Sequence, residues 1–347
     1  MGVEVEGIFM KLLIVTQTVD KNDPILGFFH RWIEEFSKHF EKITVICLQK
    51  GSYELPNVEV FSLGKEEGAG TWERVKRFRR YTKEHSKDYD AVFVHMNPEY
   101  ILLRGWFWKR NNKKTFLWYT HKNVDLKLKI AEKLVDTIFT ASKESFRLPS
   151  KKVLVTEHGI DTDFFVPGNK ERIIPLITTG RIDPVKNLEV AIRAVSSQEN
   201  SNKTPLVIVG KGSNEYMKGL MELDPLGRVS FKRPVSHRVL VNDYLQQAQV
   251  FVHASETGSL DKAVLEAMSC GVIPITSSEA FTGLLNDHKD LLLFKKGDEV
   301  QLAHNINMVL NLSDQKKDAL TKQLREKVVK LHSLSALIPR LTKKIQS

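Results

Sequence analysis

The sequence predicts an α/β protein of two doubly wound units, each built on a parallel sheet with helices on both faces. Short continuous apolar runs alternate with longer stretches of helical periodicity, which is the pattern of strands buried on both sides. The alternation ends near residues 156–170, where Gly, Asp and Pro accumulate, and then starts again. A length of 347 residues also fits two domains.

The first unit is predicted to cover residues 1–157. Its first apolar run, at residues 12–15, leads into a helical pattern over residues 28–40. The further predicted elements are strands at 43–48, 58–61, 91–94, 115–119 and 137–140, and helices over 71–86 and 100–109.

The second unit is predicted to cover residues 158–330 and repeats the same alternation. Its first predicted strand lies at residues 176–179. The further predicted elements are strands at 206–209, 229–231, 250–252 and 272–276, and helices over 187–197, 216–222, 238–247 and 298–310. Residues 331–347 form a separate helical segment.

The composition is that of an ordinary globular protein, with 41% hydrophobic and 27% charged residues. No apolar run approaches the roughly 20 residues that span a bilayer, and residues 1–9 do not resemble a secretory signal. Cys47 and Cys270 lie in or beside apolar elements, which indicates buried thiols rather than a disulfide or a metal site. We therefore predict a cytoplasmic protein.

The net charge of +10 is concentrated in clusters, one of them at residues 74–80. Helical spacing there predicts that the bases lie opposite an apolar side formed by Trp72, Val75, Phe78 and Tyr81. This pattern fits either a solvated basic face or contact with an anionic membrane surface. Nucleic acid is not expected as a partner, because no nucleic-acid-binding module accompanies the charge.

A second basic cluster, at residues 109–114, follows the aromatic residues Trp106, Phe107 and Trp108. Two structures fit this stretch. One is a core helix that packs its aromatic rings on the sheet. The other is a helix whose rings lie at a membrane interface beside basic residues, which implies a peripheral protein at the inner face of the cell membrane.

The clearest functional pattern lies in residues 255–276. A small polar turn leads into a helix with one acidic residue, Glu266, on an otherwise apolar and small face, and Gly271 ends the helix before a buried strand. An acid in the second turn of a helix is well placed to bind the hydroxyls of a ligand, and the N–H groups at the helix start attract an anion. One element thus serves both halves of a sugar nucleotide.

A loop of the same unit, at residues 180–187, carries Arg181 and Lys186 between a strand and a helix. Ligands bind beyond the carboxyl ends of strands in doubly wound sheets, and two cations at one strand end suit a diphosphate. The alternative is ordinary surface ion pairing. Gly210 and Gly212 follow the next strand, where paired glycines form either a plain turn or a close approach to a ligand.

Taken together, these residues resemble the nucleotide-binding domain of family 4 glycosyltransferases, which are retaining enzymes of the GT-B fold. The matching residues are Gly180, Arg181, Lys186, Gly210, Gly212, residues 265–268 and Gly271. The resemblance implies two Rossmann-like domains that face each other across a cleft. It also implies that the final helix, residues 331–347, crosses back to pack on the first domain.

The resemblance further implies that a sugar passes from a nucleotide-sugar donor to a glycan, a lipid-linked or another acceptor, with retention of anomeric configuration. Glu266 then binds the ribose hydroxyls, and His121 lies across the cleft near the donor sugar. We assign Arg181 and Lys186 to the departing diphosphate, whose charge they stabilise. No metal or other cofactor is expected, because these two cations take that role.

One position departs from the family pattern, because Gly258 stands where the family has the first of two glutamates. The predicted donor loop consists of Glu256, Gly258, Ser259, Leu260 and Asp261, of which either acid is a candidate to replace that glutamate. The departure leaves a second hypothesis open, a non-catalytic protein that binds a sugar nucleotide. Gly27, in the first unit, and Arg233, after the strand at 229–231, are the remaining predicted donor contacts.

Overall fold

The computed structural model describes residues 10–23, 26–197, 204–255 and 257–347. The chain folds into two compact units. Unit 1 comprises the chain up to Gly159 together with Leu334–Ser347, and unit 2 comprises Ile160–Ser333. The boundaries predicted after residues 157 and 330 lie within three residues of these.

Within its described residues, unit 1 is built on a parallel sheet of seven strands. The strands are β1 Lys11–Val19, β2 Lys42–Lys50, β3 Val58–Ser62, β4 Ala91–His95, β5 Lys114–Trp118, β6 Thr137–Thr140 and β7 Val153–Val155. Their order is β3-β2-β1-β4-β5-β6-β7, so the chain winds outward in both directions from the β1–β4 pair. This is a doubly wound sheet, as the alternation of apolar runs and helices predicted.

The helices that alternate with these strands are α1 Phe28–Ser37, α2 Thr71–Glu84, α3 Pro98–Arg110 and α4 Leu126–Leu134. The sequence did not predict α4. Asp125 starts this helix, because its carboxylate accepts the N–H of Leu128 at 2.8 Å. Leu126 and Ile130 are exposed, however, so apolar residues lie on both sides of the helix and its periodicity is weak.

Unit 2 contains, among its described residues, a parallel sheet of five strands in the order β10-β9-β8-β11-β12. These are β8 Ile174–Thr179, β9 Leu206–Val209, β10 Val229–Lys232, β11 Ala248–His253 and β12 Ile273–Thr276. The accompanying helices are α5 Leu188–Ser196, α6 Asn214–Glu222, α7 His237–Val239, α8 Lys262–Ser269, α9 Thr282–Leu285, α10 Lys289–Leu292, α11 Glu299–Leu310 and α12 Asp314–His332. The strand order reverses between β8 and β11, and the two loops that carry the predicted ligand-binding residues follow these two strands.

The single helix predicted over residues 238–247 is wrong. α7 widens into a π-helical turn, Leu240–Tyr244, and ends in a 3-10 turn, Leu245–Gln247. Val241 and Leu245 are both buried in the core, but residues four positions apart also share one face of a regular helix, so the apolar pattern does not reveal the widened turn.

The last helix, α13 Leu334–Gln346, belongs to unit 1. It packs on α1, and its apolar residues join the core on that side of the seven-stranded sheet. α12 ends at His332, and the extended backbone of the next residue, Ser333, forms an isolated bridge with Ile160. The chain therefore leaves and re-enters unit 1 at neighbouring positions.

The structure corrects the predicted apolar side of α2. Phe78 is fully buried against Tyr100 and Trp108, but Trp72 is 82% exposed. Each step of three residues rotates a side chain by about 60° away from the preceding one, so Trp72 is turned far from Phe78. Trp72 therefore lies on the basic side of the helix.

In α3, the two tryptophans of the aromatic stretch differ in burial. Trp108 is fully buried, and its ring nitrogen lies 3.3 Å from the hydroxyl of Tyr89. Trp106 is 64% exposed and contacts the ammonium group of Lys109. No helix among the described residues is both long and apolar enough to cross a membrane.

Candidate functional site in unit 2

The loop after β8 carries the two cations that the sequence assigned to a diphosphate. Gly180 ends the strand with a φ of 128°, a value that favours glycine. Asp183 then caps a short turn, Pro184–Lys186, because its carboxylate accepts a backbone N–H of that turn at 3.1 Å. Arg181 is exposed on this loop, and Lys186 ends the turn directly before α5.

Gly210 and Gly212 are required by the packing of their turn against this loop. A Cβ atom on Gly210 would lie 1.8 Å from the carbonyl oxygen of Gly180, and one on Gly212 would lie 2.7 Å from that of Ile182. Backbone hydrogen bonds join the two loops, including one of 2.8 Å from Ile182 to Lys211. The backbone of the β8 loop thus occupies the space that these glycines leave open. Their contact with a ligand stays a prediction.

The polar loop before α8 is held by its own side chains and by the strand end beside it. The hydroxyl oxygens of Thr257 and Ser259 lie 2.9 Å apart, and the hydroxyl of Ser278 donates to the carbonyl of Ser259 at 3.0 Å. Leu260 is buried in the core of the unit. Gly258 has a φ of 59° and open space where a side chain would project. The loop therefore presents backbone rather than a glutamate at this position.

Of the two acids considered as replacements for that glutamate, Glu256 lies outside the described residues. Asp261 is the N-cap of α8, and its carboxylate accepts the N–H of Ala263 at 3.1 Å. The same carboxylate forms an ion pair with Lys186 and lies 3.2 Å from the Nε2 atom of His253. The side chains of Lys186 and Asp261 are only 20% and 15% exposed.

This contact adds, at the start of α8, a partner that the sequence did not reveal. The helix N-terminus and Lys186 were both predicted to be available to the anion of a ligand. In the structure the carboxylate of Asp261 occupies both, because aspartate is a preferred N-cap and the β8 loop lies beside it. A diphosphate that approaches Lys186 therefore meets a lysine that is already paired with Asp261.

His253, the last residue of β11, extends this contact into the sheet. Its side chain is 4% exposed, and its Nδ1 atom lies 2.8 Å from the hydroxyl oxygen of Thr276 in β12. That hydroxyl already accepts the N–H of Ser278, so it is able to donate to Nδ1. Nε2 then carries the proton that His253 donates to Asp261. Burial alone would raise the pKa of Asp261, but this hydrogen bond and the charge of Lys186 hold that pKa well below its usual range.

Glu266 lies in the second turn of α8, where the sequence placed it. It is 7% exposed, and one of its carboxylate oxygens lies 3.2 Å from the ammonium group of Lys262, four residues earlier. His237, at the start of α7, is close enough to feel the charge of Glu266. Burial lowers the pKa of His237, and Glu266 opposes that change. Sequence reasoning missed both His237 and His253, although His253 is a polar residue at the carboxyl end of a predicted strand.

The other predicted site residues are not part of these contacts. Arg233 is exposed in the loop after β10. In unit 1, the Nδ1 atom of His121 accepts the N–H of Asn123 at 3.1 Å, which leaves Nε2 to carry the proton in the neutral ring. Gly27 begins α1, and a Cβ atom there would lie 2.5 Å from the carbonyl oxygen of Asp23. The tight turn alone therefore accounts for this glycine.

Across the described ranges, no group of three or more His, Cys, Asp or Glu side chains is arranged to hold a metal ion. The charged groups of the candidate site are instead Lys186, Asp261 and Glu266, with Arg181 on the same loop as Lys186. They lie on loops and a helix that follow the carboxyl ends of β8 and β11, which is where doubly wound sheets bind ligands.

Comparison with known proteins shows which family unit 2 is similar to. The model of glycosyl transferases group 1 matches residues 159–327, nearly the whole of unit 2. Protein CapJ of Staphylococcus aureus is 26% identical over 210 residues, which are 60% of this chain and 50% of CapJ. A probable sucrose-phosphate synthase of Thermosipho melanesiensis is 25% identical over 137 residues, which are 37% of this chain and 32% of that protein. The chain thus spans about half the length of one curated relative and about a third of the other.

Among solved structures, HepE of Anabaena in complex with UDP and glucose resembles this chain with a TM-score of 0.74 at 15% sequence identity. The match covers 97% of this chain and 100% of HepE. The two doubly wound parallel sheets are therefore those of the GT-B fold, which confirms the predicted fold class and the predicted resemblance to glycosyltransferases.

Proposed function

We propose that this chain, whose residues 159–327 match the model of glycosyl transferases group 1, transfers a sugar from a nucleotide-sugar donor to an acceptor. One observation carries the proposal: the cation loop after β8 and the start of α8 meet at the ion pair of Lys186 and Asp261. Glu266 lies in the second turn of the same helix. A cation, a helix start and a buried acid are the groups that a diphosphate and a ribose require.

Breaking the bond between the anomeric carbon and the diphosphate places negative charge on the leaving group. Arg181 and Lys186 hold that charge where it develops, so no metal ion is needed for this step. In the structure, Asp261 holds the ammonium group of Lys186 at the start of α8. When the donor binds, a phosphate oxygen replaces the carboxylate as the partner of Lys186. Asp261 keeps its hydrogen bonds to His253 and to the helix start.

The ribose of the donor binds at Glu266. A carboxylate accepts hydrogen bonds from two neighbouring hydroxyl groups, and Lys262 and the protein interior hold this one in place. UDP and UDP-glucose are the first ligands to test, because HepE shares the fold and was crystallised with UDP and glucose. Likeness to family 4 supports retention of the anomeric configuration, which proton NMR of the first-formed product tests.

For the acceptor, unit 1 supports a lipid-linked molecule at an anionic membrane. Trp72 is exposed on α2, and the exposed side chains of Lys76, Arg79 and Lys83 follow it at helical spacing on one face. An aromatic ring among cations suits the interface of an anionic membrane. The protein is then peripheral, at the cytoplasmic face of the membrane.

Co-sedimentation with vesicles tests this face. Trp72→Ser should reduce binding to phosphatidylglycerol vesicles at least threefold. Met221→Ser, which removes an exposed apolar side chain from unit 2, should leave binding unchanged. Equal binding of the wild-type protein to neutral phosphatidylcholine vesicles would remove the membrane from the proposal.

The donor site is tested by thermal stability with a panel of nucleoside diphosphates and sugar nucleotides. A ligand at about 100 times its Kd adds about 2.7 kcal/mol to the folded state. Glu266→Ala should lose this stabilisation and still fold. Glu222→Ala, which removes an exposed acid on α6, should keep it. No stabilisation of the wild-type protein by any member of the panel would overturn the proposal.

A second candidate function is sugar-nucleotide binding without transfer. The observation that favours it is the backbone of Gly258 at the position where the family has a glutamate. This candidate requires donor binding in the stability assay but no release of nucleoside diphosphate over broad acceptor panels or in slow donor hydrolysis. Detectable transfer to any acceptor excludes it.

A further inference from the structure

A basic pocket of about 380 Å³ lies in unit 1, at the amino ends of strands β5, β6 and β7. The last turns of α3 and α4 form its other walls, because helices that connect parallel strands run back towards the amino ends of the strands. Close packing of these two helices is helped by Gly105 of α3, where a Cβ atom would lie 3.1 Å from the side chain of Leu134. The pocket is thus distinct from the carboxyl edge, where ligands of such sheets ordinarily bind.

Five lysines line this pocket: Lys109, Lys113, Lys114, Lys133 and Lys152. In the part of the chain that the structure describes, none of them forms an ion pair with a carboxylate. The opposite end of the same sheet edge differs, since Lys42 in β2 pairs with Glu59 in β3 at 2.9 Å. The concentration of unpaired positive charge is therefore a property of the pocket and not of the whole edge.

Two of the five lysines are explained by the fold. Lys113 donates to the carbonyl oxygen of Tyr89 at 2.5 Å, and Lys152 donates to that of Glu132, near the end of α4, at 2.6 Å. The second contact lies near the carboxyl end of α4, where a cation is favourable. Lys109, Lys114 and Lys133 are exposed and form no such hydrogen bond to any residue that the structure describes. Packing alone does not account for these three.

Asp136 is the one carboxylate among the described lining residues of the pocket. It is engaged by the backbone, because it accepts the N–H of Thr115 at 2.7 Å. Its charge offsets only one of the five ammonium groups. Like charges held around one concave space repel each other, and a multiply charged anion relieves that repulsion.

We propose that this pocket binds a multiply charged phosphate group, such as a diphosphate. Lysine supports this class of ligand, because its ammonium group is a compact point charge that suits the rounded shape of a phosphate. No arginine, whose planar fork binds carboxylates and phosphates alike, is among the described lining residues. The ligand is either a free phosphate compound or a phosphorylated headgroup at a membrane surface. The exposed ring of Trp106, in contact with Lys109, lies beside the pocket rim in either case.

The test is calorimetric titration of the full chain with pyrophosphate. It is performed in the Arg181→Ala/Lys186→Ala protein, so that the proposed donor site does not contribute. Adding Lys114→Gln and Lys133→Gln should weaken pyrophosphate binding at least tenfold. The control pair, Lys127→Gln with Lys129→Gln, removes the same charge from exposed positions of α4 outside the pocket and should change binding less than twofold.

Two outcomes would overturn the proposal: no pyrophosphate binding in the Arg181→Ala/Lys186→Ala protein, or equal loss in the pocket pair and the control pair. Neither depends on the donor site, which is measured separately by nucleotide binding to the wild-type protein. Co-sedimentation with phosphatidylglycerol vesicles separates the two sources. If the ligand is a membrane headgroup, Lys114→Gln/Lys133→Gln should also lower vesicle binding. If the ligand is a free phosphate compound, this variant should bind vesicles as the control pair does.

Discussion

Replacing Asp261 with asparagine should lower the free energy of unfolding, measured without added ligand, and raise the affinity for a diphosphate. The amide oxygen of asparagine still accepts the N–H of Ala263, so the start of α8 is kept. Lys186 loses its charged partner while its side chain remains 20% exposed. Removing one partner of a buried ion pair costs about 3–5 kcal/mol. Because this pair is partly exposed, we expect Asp261→Asn to lower the free energy of unfolding by about 2–4 kcal/mol.

The effect on binding has the opposite sign. A diphosphate at Lys186 lies beside the carboxylate of Asp261. Counting one unit of charge on the nearer phosphate, at about 6 Å and an effective dielectric constant of about 20–40, the carboxylate repels that phosphate by about 1.4–2.8 kcal/mol. Asp261→Asn removes this repulsion, so affinity for a nucleoside diphosphate should rise about tenfold to a hundredfold. Urea denaturation measures the first effect, and calorimetric titration measures the second.

Asp298→Asn is the matched control. Asp298 is also an N-cap in unit 2, where it accepts the N–H of Gln301 at 2.8 Å, but no ion pair is recorded for it among the described residues. This variant should leave nucleotide affinity unchanged. If Asp261→Asn binds diphosphates as the wild-type protein does, or less tightly, then Asp261 does not compete with the ligand for Lys186.

The remaining predictions concern the same unit. Arg181→Ala with Lys186→Ala should abolish sugar transfer in a product assay, and retained activity would place the diphosphate elsewhere. The pKa of Asp261 is lower in the folded protein than the unfolded value of about 3.9. Its ionised carboxylate therefore stabilises the fold above about pH 4, and this stabilisation is lost as the pH falls further. The difference in unfolding free energy between wild type and Asp261→Asn should therefore shrink below about pH 4, and a constant difference would contradict the assignment. Gly210→Ala should destabilise by about 1–3 kcal/mol through its clash with the β8 loop. Gly219→Ala, with open space in α6, should not destabilise in the same denaturation assay. Excess EDTA should leave transfer unchanged, and loss of activity restored by a divalent cation would show a metal requirement.

The strands were predictable because most of them are buried on both faces and read as continuous apolar runs. β4 is an example, since all five of its residues are buried. The strand that the sequence did not reveal, β7, lies at the edge of its sheet, and Leu154 at its centre is exposed. A strand of three residues with a solvent-facing centre has too short an apolar run to be distinguished from a loop.

The helices show where periodicity fails. Spacing by three residues suggested one apolar side for α2, but the rotation of about 60° at each step carried Trp72 to the solvent. That error concealed the exposed aromatic and basic face of the helix. It also shows that a helix side is defined by alternating steps of three and four residues, not by three alone.

Individual residues of the candidate site were predictable, but their contacts were not. Lys186 and Asp261 are 75 positions apart, and they meet because β8 and β11 are neighbours in the parallel sheet. Sequence patterns predicted a role toward a ligand for each residue. They could not show that the two side chains form an ion pair with each other. The basic pocket of unit 1 has the same origin, since its lysines come from two helices, the first residue of β5 and two loops, which only the sheet order brings together.

The most direct measurement is calorimetric titration of wild-type protein and Lys186→Gln with the best-binding nucleoside diphosphate and with its nucleoside. We expect Lys186→Gln to lose at least tenfold in affinity for the diphosphate and to bind the nucleoside as the wild type does. That result would place the diphosphate at the Lys186–Asp261 contact. Equal affinity of both proteins for the diphosphate, or an equal loss for the diphosphate and the nucleoside, would contradict it.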